Sequence, residues 1–109
     1  MAKVRIKRII KEYIDNLKSK IKINKVILFG SAAKYKLDKN SDLDIIVLSN
    51  DFKKINFLKR LEFLSHARNG NARKIPMDII CYTPDEFNKL SKESLVLKEA
   101  KENGKVIWR

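Results

Sequence analysis

Three short apolar runs rich in β-branched residues constrain this chain most: KVILF (25–29), DLDIIVLS (42–49) and IPMDIICY (75–82). Each has the length and composition of a buried strand. Around them the apolar period changes. Val4, Ile6, Ile9, Ile10, Ile14, Leu17 and Ile21 recur at helical spacing with lysines between, which predicts an amphipathic helix over about 3–20. Ile55, Leu58, Leu61, Phe63 and Leu64 predict a second helix over 52–67. Thr83-Pro84-Asp85-Glu86 is a helix start, with Thr83 as N-cap, Pro84 in the first helical position and Glu86 placed for a capping box. That helix runs to about Leu90. A short helix over 92–103 stops at Asn103-Gly104, and KVIW (105–108) reads as a last short strand. Residues 36–41 and 68–74 read as loops. With a short helix expected after the first strand, strands alternate with helices. The fold class expected is α/β or α+β, a small mixed sheet of three to four strands flanked by helices and covered mainly on one face.

At 109 residues the chain fits a single domain spanning 1–109. No run of about 18 apolar residues marks a membrane span, and charges interrupt the N-terminal apolar stretches, unlike a signal peptide. Cys81 is the single cysteine and sits in an apolar run, as a buried small residue in a reducing compartment would. The expected location is cytoplasmic. The net charge of +12 favours anionic partners, nucleotides or nucleic acid among them.

The stretch GSAAKYKLDKNSDLD (30–44) joins the first two strands and carries the chemistry. Side chains alternate across a strand, so Asp42 and Asp44 share one face at the start of the second strand. Two neighbouring carboxylates repel, and a divalent cation removes that cost. Mg²⁺ takes oxygen ligands and suits carboxylates that act together with substrate phosphates. Asp78 interrupts the third apolar run, where a charge is otherwise hard to explain. If the third strand lies beside the second, Asp78 faces the same site. Three carboxylates can hold two metal ions, and Asp78 could also receive a hydroxyl proton. Gly30 ends the first strand and lets the backbone approach a ligand closely. Ser31 would open a short helix whose free N–H groups favour phosphate, and Lys34 adds positive charge one turn on. Taken together, these residues suit phosphoryl or nucleotidyl transfer.

With these residues the chain resembles the DNA polymerase β-like nucleotidyltransferase superfamily, whose signature is Gly-Ser, a ten-residue gap and Asp-x-Asp. It is most similar to the minimal nucleotidyltransferases (MNT), including antitoxins paired with HEPN toxins. The resemblance implies Mg²⁺-dependent transfer of AMP from ATP to a hydroxyl, with a tyrosine of a helical HEPN ribonuclease as acceptor. It implies that Gly30 and Ser31 hold the triphosphate, that Asp42, Asp44 and Asp78 bind metal, and that Asp78 acts as base. The family often reads Gly-Ser-Arg-Ala-Arg-Gly. Here Ala32 and Lys34 stand for the arginines and Tyr35 for the last glycine. Lysine lacks arginine's bidentate fork.

Two other readings stay open. A non-catalytic member of the same fold would mask a partner by binding alone, and a basic module would bind nucleic acid with steep salt dependence. The remaining polar and aromatic residues have plainer expectations. His66 is an exposed residue at a helix end, and Arg68, Arg73 and Lys74 form a solvated basic loop. Trp108 packs or meets a partner, and Tyr13 and Tyr82 sit at core edges.

Overall fold

The structure is a computed structural model and describes residues 2–30, 43–68 and 70–109; the side chains of 2–6, 71 and 74 lie outside the description. Helix α1 (Ala2–Lys18) leads into strand β1 (Lys25–Phe29), and strand β2 (Leu43–Leu48) follows. A 3-10 turn (Asn50–Lys54) precedes helix α2 (Phe57–Ala67), and a second 3-10 turn (Gly70–Lys74) precedes strand β3 (Met77–Tyr82). Helix α3 (Pro84–Leu90), helix α4 (Leu95–Asn103) and strand β4 (Lys105–Trp108) complete the order. The helix expected after β1 falls outside the described residues.

The four strands form one mixed sheet in the order β3-β2-β1-β4. β1 pairs antiparallel with both β2 and β4, and β2 pairs parallel with β3. A parallel pair needs a crossover, and α2 with its flanking turns supplies it.

Strand alternation sorts the core into two layers. Val26, Leu28, Leu43, Ile45, Val47, Met77 and Cys81 point to one face, where α1 covers them with Ile10, Tyr13, Ile14 and Leu17 and α2 with Leu64 and Ala67. Ile27, Phe29, Ile46 and Leu48 point to the other, beneath Phe87 of α3 and Leu97 and Ala100 of α4. The sheet is therefore covered on both faces, where cover mainly on one was expected. The reason is the strands themselves: β1 and β2 are apolar at successive positions, and such strands need cover on both sides.

The expected helix over 52–67 is broken. Ser49 caps the 3-10 turn, whose apolar Phe52 is fully buried, and Asn56 then caps α2 by accepting from the Lys59 N–H. The break brings Arg60 inward. Only 6% exposed, Arg60 donates to the carbonyls of Ile55 and Phe52 and pairs bidentately with Glu86. Glu86 also closes the capping box at Thr83, so one carboxylate starts α3 and ties α3 to α2. The helix expected over 92–103 begins later, at Leu95, because Ser94 caps it.

Tyr13, expected at a core edge, is 1% exposed, and its hydroxyl donates to the Leu64 carbonyl at 3.0 Å. Burial raises the pKa of that phenol far above its ordinary value. Arg68 and Arg73 are bracing residues where a solvated loop was expected. Arg68 donates to the carbonyls of Ala72 and Ile75, and Arg73 to that of Arg68. His66 is exposed and Tyr82 half-buried, as expected. Trp108 packs beneath the Lys18 ammonium, 4.7 Å from the ring centre. Among the described residues no helix is long and apolar enough to cross a membrane.

Candidate functional site

Among the described residues, α3 and α4 leave a cleft at one end of the face they cover. On β2 the side chains Asp44, Ile46 and Leu48 follow one another on this face, and on β3 Asp78, Ile80 and Tyr82 do so. Each strand thus begins with a carboxylate and continues with residues that pack under the helices. The polar first position of each stays outside the helical cover.

Parallel register then joins the two strands. Leu43 faces Met77, Asp44 faces Asp78 and Ile45 faces Ile79. Asp44 and Asp78 therefore stand side by side on neighbouring strands. Asp44 is half-buried and Asp78 exposed.

Gly30 closes the site from β1, where Phe29 is the register partner of Asp44. Its φ of +74° lies in the left-handed region that favours glycine. A side chain there would also collide with the Asp44 carboxylate, so the space left by the missing Cβ is the space Asp44 Oδ2 fills. Gly30 thus turns the chain and seats the carboxylate.

These residues line an open cleft of about 610 Å³, shared with Phe29, Ile80, Leu95, Val96 and Glu99. Leu95, Val96 and Glu99 come from the first turns of α4 and escaped the reading of the sequence. The available signal was helical spacing, with Leu95 and Glu99 at i, i+4 and Val96 and Glu99 at i, i+3. Nothing in the sequence said that this side overlooks the carboxylates. Glu99 accepts a hydrogen bond from Asn103 Nδ2 at 3.0 Å. Leu95 is 85% exposed and Val96 61%, unusual for apolar side chains on the wall of a cleft.

The structure thus brings together Gly30, Asp44 and Asp78. Ser31, Lys34 and Asp42, along with Ala32 and Tyr35, lie outside the described residues. Among the described residues no group of three or more histidine, cysteine, aspartate or glutamate side chains could hold a metal ion. The Asp44–Asp78 pair fits a hard cation even so: both donors are carboxylate oxygens, adjacent in register, on a cleft open to further ligands. Mg²⁺ is commonly bound through one or two carboxylates, with waters and phosphate oxygens completing its shell.

Two carboxylates paired in register at one end of a small mixed sheet, beside a left-handed glycine, are suited to hold a hard cation together with phosphate oxygens. The nucleotidyltransferase domain model matches residues 10–107, and the chain belongs to that family. No protein of curated function matches the sequence. Among solved structures, a protein from Sulfolobus solfataricus provisionally assigned as a nucleotidyltransferase superposes with a TM-score of 0.70. The two are 22% identical, and the match covers 98% of this chain and 83% of that one, a likeness of fold.

Proposed function

We propose that this nucleotidyltransferase-family protein transfers AMP from ATP to a hydroxyl acceptor, a tyrosine of a helical HEPN-type partner, and so serves as an antitoxin. The observation that carries the proposal is the register pairing of Asp44 with Asp78 beside Gly30, on the sheet face that α3 and α4 pack against.

In this reading Asp42, Asp44 and Asp78 hold two Mg²⁺ ions, and Gly30, Ser31 and Lys34 hold the triphosphate. Bound Mg²⁺ supplies charge neutralisation for the triphosphate and the leaving pyrophosphate. The acceptor oxygen attacks the α-phosphorus, the bond to the bridging oxygen breaks, and pyrophosphate leaves with that bond's electron pair. Asp78, on the exposed edge strand, takes the hydroxyl proton. Leu95 and Val96 support a macromolecular acceptor, because a partner surface would cover the apolar rim that solvent now meets.

The same rim supports a second reading, a member that masks its partner by binding alone. Calorimetric titration of a non-hydrolysable ATP analogue with Mg²⁺ separates the two, run beside an Asp42→Asn, Asp44→Asn double variant. Metal-dependent binding lost in the variant is expected. An absence of binding by the wild type overturns the ATP site and favours masking. Transfer is then read as labelling of a HEPN partner tyrosine from ATP labelled at the α-phosphate.

A further inference from the structure

On the opposite face of the sheet, β4 runs along one edge. Among the described residues it pairs only with β1, and none of them bonds to its outer row of backbone N–H and C=O groups. A groove of about 340 Å³ lies between this strand and α1. Its floor is apolar, from Ile10, Leu28, Val106 and Ile107, and among the described residues its charged groups are Lys7, Lys11 and Lys105. Lys11 pairs with Asp15 at 2.9 Å, but both side chains are more than half exposed. Such a pair is weak and readily exchanged for another carboxylate.

We propose that this groove is a docking site for an acidic, extended segment of a partner protein, which adds to β4 as a fifth strand. Three features converge on that occupant. The open edge supplies main-chain hydrogen bonds, the apolar floor takes every second side chain, and the three lysines meet acidic residues on the strand. A second copy of this chain fits poorly. Each copy carries a net charge of +12, and edge-to-edge pairing would bring lysines against lysines. Single-stranded nucleic acid fits poorly too. None of the described lining residues is aromatic and able to stack a base, and the nearby Trp108 ring is covered by Lys18.

The test uses the whole protein and a short peptide of alternating valine and glutamate. Hydrogen exchange of the β4 amides is followed by NMR, with a valine–lysine peptide and oligouridylate as comparisons. The acidic peptide should protect the β4 amides, and binding should weaken as salt is raised. A Lys7→Glu, Lys105→Glu double variant with an unchanged melting temperature should bind roughly tenfold more weakly. Four results would each overturn the proposal: unprotected β4 amides, equal binding of the lysine peptide, undiminished binding by the variant, or oligouridylate alone occupying these lysines. Self-association through β4 in sedimentation, with no response to the peptide, would assign the edge to a second copy instead.

Discussion

Asp44 and Asp78 are register partners across the parallel β2–β3 pair, so two carboxylates from chain positions 34 residues apart (78 − 44) share one face at one level. Neither side chain packs in the apolar layer beneath the helices. They line one cleft with Gly30 and Glu99, and a divalent cation there would be held by both carboxylates.

Asp78→Asn tests the chemistry with little disturbance to the fold. Asp78 is exposed on an edge strand, and the change removes charge while keeping shape. The thermal midpoint should stay within about 3 °C of wild type. Nucleotidyl transfer should fall by roughly 100-fold or more. Transfer at the wild-type rate would remove Asp78 from the reaction.

Gly30→Ala should damage stability and the site together. The left-handed backbone costs a non-glycine residue about 1–2 kcal/mol, and the new Cβ would also press on Asp44 Oδ2. Denaturant unfolding should show at least that loss. Mg²⁺-dependent nucleotide binding should weaken further than the stability change explains, because the Asp44 carboxylate must shift.

Arg60→Ala should cost about 1–3 kcal/mol, since it strands the buried carbonyls of Phe52 and Ile55 and frees Glu86. The pair also has a pH signature. Hydrogen bonding from Arg60 holds the Glu86 carboxyl below its ordinary value near 4.5. A depressed carboxyl adds stability above its unfolded value, and that stability is lost as pH falls through the folded value. Wild type should therefore lose stability below about pH 4.5, and the gap between wild type and Arg60→Ala should narrow there. The slope will be modest, because the Glu86 side chain is 41% exposed. Urea unfolding at several pH values checks both the sign and the window.

Cys81 should be inert to thiol reagents in the folded protein. It is fully buried between the sheet and α1, and burial pushes its thiol up to about 11, so it stays protonated at neutral pH. Labelling should proceed no faster than unfolding and should accelerate with denaturant. Labelling at the rate of an unstructured peptide would show that this part of the core opens freely.

Much of this architecture was legible in the sequence because it is locally encoded. Runs of β-branched residues marked β1, β2 and β3, and Thr83-Pro84-Asp85-Glu86 marked the start of α3, because composition and caps act within a few residues. Alternation also fixed which residues of one strand share a side. The same reasoning misjudged Arg68 and Tyr13, and it passed over Arg60. A buried guanidinium or phenol depends on partners such as Glu86, the Ile75 carbonyl and the Leu64 carbonyl, which local pattern does not supply.

What the sequence determined alone is the inventory: an acidic residue at the start of β2, another within the third apolar run, and a glycine closing β1. What only the tertiary structure decided is that Asp44 and Asp78 stand opposite each other, that Gly30 makes room for Asp44, and that Leu95, Val96 and Glu99 overlook them. Strand order and register arise from packing both faces of the sheet at once. A shift of one residue in β3 would turn Asp78 into the α1-facing core and expose Met77 in its place. The cost of burying that carboxylate selects the register that leaves both aspartates facing the cleft.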